Sequence, residues 1–252
     1  MSRERTDELG RKGYRIIQDT EAFCFGADAV LLADFAQAGK NDRVLDMGTG
    51  NGILPLLLEA RDKGASYEAL EIQPAMAALA RRNAALNGLE GKIHVTEGDN
   101  KEASRLFGRG SFRVVVTNPP YMRENHGLVN PESAKAIARH ELLCSLEDIL
   151  REAAAVLVPG GRFFMIHRPA RLAEIIAGMR AHGLEPKRLR MVHSFADSPA
   201  EMVLVEGVRG GRPYMTVEAP VIMYREKGVY TDEVYRMYFG GEAPLPDGEE
   251  KA

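Results

Sequence analysis

The sequence is poor in cysteine. Its 252 residues include two cysteines, Cys24 and Cys144, which are widely separated and have no partners at metal-ligand spacing. A disulfide framework is therefore excluded, and buried free thiols in a reducing cytosol are the expectation. We predict no metal site in this protein.

Long apolar runs are also absent. No segment approaches the roughly 20 apolar residues that a membrane-spanning helix needs. The charged start, Met1–Arg5, lacks the apolar stretch of a signal peptide. We therefore expect a cytoplasmic protein with no membrane partner.

The net charge is small as well. At −3, the molecule as a whole has no electrostatic field that would attract a nucleic acid. Any nucleic-acid site must therefore be a local basic face. The hydrophobic content of 45% and the charged content of 27% are typical of a globular protein.

Strand and helix patterns alternate along most of the chain. Short apolar, β-branched runs predict strands, and the last two of these follow each other without a helix between them. This order predicts an α/β fold with a mostly parallel, seven-stranded sheet whose edge turns antiparallel. The predicted strands are 43–45, 67–71, 93–96, 112–117, 162–167, 189–193 and 201–208.

The chain has no internal repeat and no strong linker, and we predict a single domain over residues 1–252. The charged first 13 residues are expected to be frayed. The predicted parts are a lead-in with one helix (1–40), the core (41–208), a C-terminal extension (209–240) and a disordered tail (241–252).

A glycine-rich loop, Asp46–Gly52, joins the first core strand to a helix. Its three glycines, Gly48, Gly50 and Gly52, let the backbone turn tightly and approach a ligand. The dinucleotide-binding motif does not fit, because its third glycine would fall at Ile53. Asp46 would repel a pyrophosphate but favour a ligand with an ammonium or sulfonium group.

Two further acids follow the next two strands. Glu71 ends the second strand, where a carboxylate can bind both hydroxyls of a ribose. Asp99 follows the third strand, where it could accept from an adenine amino group. Each acid could instead be a helix cap or a solvated loop charge. Together the three acids indicate a cationic nucleoside cofactor, and S-adenosylmethionine fits all three.

The fourth strand runs directly into Asn118-Pro119-Pro120-Tyr121. Prolines cannot continue a central ladder, so the chain must leave the sheet at this point. In an open α/β sheet, ligands bind beyond the carboxyl ends of the strands. A polar amide beside an aromatic ring at such a tip predicts a site for a flat, amino-bearing group.

These motifs resemble those of known enzymes. The loop Asp46–Gly52 looks like the cofactor loop of class I S-adenosylmethionine-dependent methyltransferases, and Asn118–Tyr121 looks like the catalytic tetrapeptide of members that methylate amide or exocyclic amino nitrogens. The flanking segments Phe25–Leu32 and Ala138–Glu141 are similar to the bacterial tRNA-valine adenine-37 N6-methyltransferase family. The resemblance implies a Rossmann-like fold with helices on both faces of the sheet. It also implies a tRNA anticodon loop as substrate.

The resemblance assigns roles to the tetrapeptide. The Asn118 side-chain oxygen and the Pro119 carbonyl would each accept one N6–H bond, and Tyr121 would stack on the base. Asn118 would also contact the cofactor. No strong base is required, so His126 and His140 receive no catalytic role.

Contacts to RNA are harder to assign. We expect Arg123 near the tetrapeptide, and Arg209 and Arg212 in a glycine-rich loop, to bind the substrate. Other arginines at strand ends, such as Arg168, can equally be solvated. Asp28 either closes over the methionine end of the cofactor or caps a helix.

Two other functions stay open. A protein glutamine-N5 methyltransferase that acts on release factors shares the tetrapeptide chemistry. Only 45 residues precede Asp46, which is short for the helical substrate domain of that family. A non-catalytic RNA-binding module is the second alternative, although it would have no use for the amide acceptor Asn118.

Overall fold

The computed structural model describes residues 4–20, 25–119 and 145–241. The strands, in chain order, are β1 (Glu4–Glu8), β2 (Arg15–Asp19), β3 (Arg43–Met47), β4 (Ser66–Glu71), β5 (Ile93–Glu97), β6 (Phe112–Thr117), β7 (Leu157–His167), β8 (Leu184–His193), β9 (Ala200–Arg209), β10 (Thr216–Val217), β11 (Val221–Ile222), β12 (Tyr224–Glu226) and β13 (Val229–Tyr230). The α-helices are α1 (Ala27–Phe35), α2 (Ile53–Glu59), α3 (Pro74–Leu86), α4 (Ala103–Phe107), α5 (Leu146–Val156), α6 (Leu172–Ala181) and α7 (Asp232–Phe239).

One large sheet organises these elements. Its strand order is β10-β8-β9-β7-β6-β3-β4-β5, and β11 also pairs with β8, which gives nine strands. The pairs from β5 through β7 are parallel, whereas β9 runs antiparallel to both β7 and β8. The prediction of a mostly parallel sheet with an antiparallel edge is confirmed. The seven predicted strands are all present, and the two-residue strands β10 and β11 extend the edge.

Both faces of the sheet are covered by helices. Alternate residues along each strand point to opposite faces, so Val44, Val116 and Phe164 join a core with α1, α2 and α7. Leu45 and Phe163 join a second core with α5 and α6. The strands are apolar on both sides because both sides are buried, as in other parallel sheets.

The parallel strands define one edge of the sheet where the site must lie. We call this edge, at which β3 to β7 end, the carboxyl edge. Because β9 runs the other way, it begins at the carboxyl edge with Ala200 and ends at the opposite edge with Arg209. Loops that follow β3, β4, β5 and β6 therefore meet, as in other open α/β sheets.

The N-terminal lead-in is more ordered than the sequence predicts. Strand β1 pairs antiparallel with β2, so the expectation of frayed residues is wrong for Glu4–Glu8. Two asparagine side chains, one in α3 and one at its C-cap, bind the backbone of β2 as a neighbouring strand would. Asn83 accepts from Ile17 N at 2.7 Å and donates to Ile17 O at 3.0 Å, and Asn87 makes the same pair of bonds to Arg15.

The C-terminal extension packs through a column of aromatic rings. Tyr224 stacks on Tyr230 at 5.2 Å between ring centroids, and Tyr230 stacks on Tyr238 at 5.1 Å. Phe195, in the loop after β8, continues the column at 5.8 Å from Tyr224. The column joins the β12–β13 hairpin to α7, which packs on α1.

No helix among the described residues combines the length and the apolar character that crossing a bilayer requires.

The start of α2 depends on one glycine. Gly52 is the N-cap of α2 with φ of 83°, and a Cβ there would lie 3.2 Å from Ala80 Cβ and 3.4 Å from Ala80 Cα on α3. We expect Gly52→Ala to lower the free energy of unfolding by about 2–4 kcal/mol, through left-handed backbone strain and the close contact with α3. Chemical denaturation measures the loss.

Gly88 offers a matched control. It also has positive φ, 66°, but a Cβ there would meet no atom within 4 Å. Gly88→Ala should lose only the backbone term, about 1–2 kcal/mol. Equal losses in the two variants would show that the contact between the glycine loop and α3 has no energetic weight.

Candidate functional site

The glycine loop lies at the carboxyl edge between β3 and β4. Gly48 and Gly50 have φ of 78° and 59°, a region that side-chain-bearing residues rarely adopt. The amides of Gly48 and Thr49 both donate to Leu70 O, at 2.9 and 3.0 Å. The loop is therefore fixed to the end of β4 before any ligand binds.

Asp46 is a buried acid without a hydrogen-bond donor. The residue lies at the base of the glycine loop and is 1% exposed. Neither of its carboxylate oxygens, nor the hydroxyl of Thr49, has a partner among the residues that the structure describes. Buried polar atoms of this kind are rare, and they make this position a candidate functional site.

Burial also changes the charge of this acid. Loss of solvation raises the pKa of Asp46 to about 7; the nearby Thr49 hydroxyl opposes the rise without reaching hydrogen-bonding geometry, and the Glu71 carboxylate adds to it. The ionised form is therefore costly unless a cation or a donor is supplied. The site is suited to a ligand that carries positive charge.

Glu71 belongs to the same site. Its side chain is almost fully buried, and its Oε2 accepts from Gly50 N at 2.9 Å while its Oε1 accepts from Gln73 N at 2.8 Å. The sequence thus predicts correctly that the first two strand tips meet. A carboxylate has about four acceptor sites. Oε1 also accepts from Gln73 Nε2 at 3.4 Å, so Oε2 has an acceptor site left for a hydroxyl, and Oε1 has one only if this long bond is exchanged.

Asp99 has a local partner. It caps a single 3₁₀ turn, Asn100–Glu102, because its Oδ1 accepts from Lys101 N at 2.9 Å. The alternative of a helix cap is therefore realised, and contact with an adenine stays a prediction. The next residue, Asn100, turns back towards the loop, since a Cβ at Gly48 would lie 3.5 Å from its Nδ2.

An apolar residue that the sequence analysis did not single out lies beside these acids. Ile72 follows Glu71 directly and is 40% exposed, although most large apolar side chains in the core strands are buried. The one feature of the sequence that could have indicated Ile72 is that a large aliphatic residue stands just after the end of a strand. Such a side chain can cover one face of a flat ring.

The acceptor half of the site is carried by β6. Thr117, which is fully buried, donates from Oγ1 to Met47 O at 2.8 Å and so fixes the tip of β6 beside the tip of β3. Asn118 is half-buried and Pro119 is buried. Pro120, Tyr121, Arg123, His126, His140 and the segment 138–141 lie outside the described residues.

Asn118 is held by Asp28. Its Nδ2 donates to Asp28 Oδ2 at 3.1 Å, across 90 residues of sequence. Of the two roles predicted for Asp28, the helix cap is wrong, because Gly26 occupies the N-cap and Asp28 lies inside the first turn. Contact with the methionine end of the cofactor stays a prediction. The sequence offers no local signal for this pair, since neither residue stands in a motif with the other.

The structure does not bring Arg209 and Arg212 to the carboxyl edge. Arg209 completes β9 at the opposite edge, where its guanidinium contacts Leu157 O, so the loop predicted for this residue is wrong. Arg212 follows it, and its carbonyl accepts from Lys187 Nζ at 2.9 Å. Contact of either arginine with RNA stays a prediction.

His167 is the one buried histidine at this edge among the described residues. Burial and the neighbouring Arg171 lower the pKa of His167 to about 4, and its Nδ1 accepts from Arg168 N at 2.7 Å. The ring is therefore neutral at physiological pH. In the described ranges, no three His, Cys, Asp or Glu side chains meet in a way that would hold a metal ion.

Known proteins are similar to this chain in sequence and in fold. A model of the family described as "methyltransferase small domain" matches residues 20–179. The tRNA1(Val) (adenine(37)-N6)-methyltransferase of Porphyromonas gingivalis is 30% identical over 92% of this chain and 93% of that protein. The enzyme of the same name from Pedobacter heparinus is 32% identical over 88% and 92%. A solved structure from Agrobacterium tumefaciens, described as a predicted O-methyltransferase, matches with a TM-score of 0.67 at 27% identity, over 87% of this chain and 99% of that one.

The buried charge of Asp46 has a measurable cost for stability. Because the pKa of this acid is raised from 3.8 to about 7 in the folded state, stability present at low pH is lost as the pH rises through 7. We expect Asp46→Asn to gain stability relative to the wild type between pH 5 and 8, by an amount on the order of 2–4 kcal/mol. Denaturation of the ligand-free proteins at several pH values measures this gain. A difference that does not change with pH would contradict the assignment of a buried, ionisable Asp46.

Proposed function

Because the chain belongs to the methyltransferase small domain family, we propose that it transfers a methyl group from S-adenosylmethionine to N6 of an adenine in tRNA. It is an S-adenosylmethionine-dependent methyltransferase. The single observation that supports the choice of nitrogen is the position of Asn118-Pro119 directly after β6, the strand next to β3. The bond from Thr117 to Met47 O ties the end of β6 to the glycine loop.

The residues present fit the cofactor. The Asp46 carboxylate and the Thr49 hydroxyl are buried and have no partner in the part of the chain that the structure describes. A bound sulfonium compound with an α-ammonium group would supply both positive charge and donors. When bound, S-adenosylmethionine supplies an electrophilic methyl group. Glu71 would hold the ribose hydroxyls, and Ile72 with Asp99 would hold the adenine, as their positions after β4 and β5 favour.

Asn118 and Pro119 would prepare the acceptor nitrogen. The lone pair of an exocyclic amine is delocalised into the ring, so it is a weak nucleophile. Two carbonyl oxygens that each accept one N–H bond would localise this lone pair and hold the nitrogen in line. With a methyl group supplied by S-adenosylmethionine, the nitrogen held by Asn118 and Pro119 would take the methyl, the electron pair of the broken C–S bond would stay on sulfur, and the nitrogen would then release one proton to water.

The remaining parts of the substrate site are proposals of the same kind. Tyr121 would stack on the extruded base, since aromatic stacking contributes about 1–3 kcal/mol per base. Arg123, Arg209 and Arg212 are the proposed contacts to the RNA backbone. The relatives' names support adenosine 37, in the anticodon loop of a valine tRNA, as the methylated nucleotide. This substrate also supports a cytoplasmic location.

Incubation with labelled S-adenosylmethionine tests the proposal. The acceptors are a valine tRNA transcript, the same transcript with guanosine at position 37, and purified release factor. We expect label only in the first, recovered as N6-methyladenosine after nucleoside analysis. Label in the release factor would favour the glutamine-N5 alternative, and no transfer to any acceptor would favour a non-catalytic module.

Removal of the amide tests the role of Asn118. We expect Asn118→Ala to lower kcat by about 100- to 1,000-fold, because one of two preorganised acceptors for the reacting amine is lost. Calorimetry should find the affinity for S-adenosylmethionine within about threefold of the wild type, since Asp46 and Glu71 remain. Asn41→Ala, the same change in an exposed turn, is the control. A variant at 118 that keeps wild-type turnover would refute the role.

A further inference from the structure

We infer that Asp28 is a positioning residue that fixes which way the Asn118 amide faces, so that its oxygen and not its nitrogen meets the substrate amine. The inference rests on the proposed function for its catalytic consequence. The contact itself, Asn118 Nδ2 to Asp28 Oδ2 at 3.1 Å, stands on the structure alone.

An asparagine side chain has an ambiguity that this reaction cannot tolerate. Its amide oxygen accepts and its amide nitrogen donates, yet the two ends have nearly the same shape. A substrate amine offers donors, so only the oxygen can bind it. A rotation of the Asn118 amide by 180° would set donors against donors and would leave the amine without its acceptor.

The carboxylate of Asp28 removes the ambiguity. An ionised carboxylate only accepts, so the end of the Asn118 amide that lies 3.1 Å away must be the nitrogen. The amide oxygen is then the end left to accept from a substrate, and no described residue donates to it. A charge-assisted hydrogen bond is also stronger than a neutral one, which favours this orientation further.

Asp28 is itself held rigidly. Its Oδ1 accepts from Ala29 N at 3.0 Å, so both carboxylate oxygens have fixed donors. The residue is 3% exposed, and seven of the nine residues of α1 are buried. Just before α1, Phe25 N donates at 2.9 Å to the side chain of Gln18, which is 2% exposed.

The fold supplies this support from several elements. Helix α1 packs against α2, β7 and α7, and the column of tyrosines ends near it. The pKa of Tyr238 is raised mainly by burial and by contact with Tyr230. The negative charge of Asp28 makes a smaller contribution in the same direction. A carboxylate so enclosed is poorly screened by solvent, so its charge acts on the Asn118 amide and makes the amide oxygen a better acceptor.

A simpler role for Asp28 is to stabilise α1. Acidic residues in the first turn of a helix interact favourably with its dipole, whatever else they contact. That role would be lost on substitution without any specific effect on Asn118. The experiment must therefore separate the orientation of one amide from the general stability of the helix.

Asp28→Asn is the principal variant, with Asp34→Asn as its matched control. Asp34 lies on the same helix, and the change removes one charge at similar volume without touching Asn118. We expect Asp28→Asn to lower kcat by about 10- to 100-fold with both KM values within threefold, because an amide in place of the carboxylate no longer selects one orientation of Asn118. Asp34→Asn should keep kcat within twofold. A kcat for Asp28→Asn within twofold of wild type, or an equal loss in both variants, would overturn the inference.

Chemical rescue adds a readout that a structural role would not move. Asp28→Ala leaves a space next to Asn118 of about the size of a small carboxylate. Formate should raise the kcat of Asp28→Ala several-fold, whereas chloride at the same ionic strength should leave it unchanged. If neither anion or both anions restore activity equally, the carboxylate is not the active feature.

The orientation can also be observed without any RNA. In protein labelled with ¹⁵N at asparagine side chains, the Asn118 amide signals are those missing from Asn118→Ala. We expect these signals to shift in Asp28→Asn and to stay in place in Asp34→Asn. Unmoved signals in Asp28→Asn would refute the contact. Failure of the wild type to methylate any RNA would instead refute the proposed function, and the spectra would still decide the contact.

Discussion

The parallel pairing of β3 with β4 on one side and with β6 on the other is the constraint on which the site depends. Asp46 pairs with Ala69 across one ladder and with Val116 across the other. This register brings the glycine loop between Glu71 and Asn118, so that a donor and an acceptor molecule can meet at adjacent strand tips. A shift of one residue in either ladder would turn the side chains of that strand to the opposite face of the sheet. The site is therefore only as precise as the two ladders beside β3.

Local patterns in the sequence predict most of this arrangement. The β-branched runs predict the seven long strands, and the glycines predict the loop that follows β3. What the sequence does not reveal depends on distant partners. Glu4–Glu8 reads as a charged, frayed segment, and it forms β1 because Asn83 of α3 and Asn87 at its C-cap hold β2 in place. Neither role predicted for Asp28, a helix cap or a contact with the cofactor, includes its bond to Asn118, because that partner lies 90 positions away. Arg209 reads as part of a loop because nothing nearby shows how far β9 extends.

The site also shows how binding and stability oppose each other. A core position with an unpaired carboxylate is unfavourable for the empty protein, and a polar group that is satisfied only by a ligand is a common feature of functional sites. Asp46 and Glu71 lie on neighbouring strands and both are nearly fully buried, yet only Glu71 has donors among the described residues. The two central acids thus differ in role: Glu71 holds the loop, and Asp46 has both carboxylate oxygens without a donor among the described residues.

The aromatic column of the C-terminal extension has a consequence for the order in which the protein becomes complete. Synthesis releases the glycine loop first and Asn118 next, whereas α7, which packs on α1, ends only at Phe239. At about 5–20 residues per second, a ribosome needs on the order of 10 s to pass from Asn118 to the end of α7. During that interval the nascent chain contains both halves of its site, but α1, the helix that contains Asp28, lacks α7 as a packing partner. The packing that supports Asp28 can therefore be completed only after α7 has been synthesised.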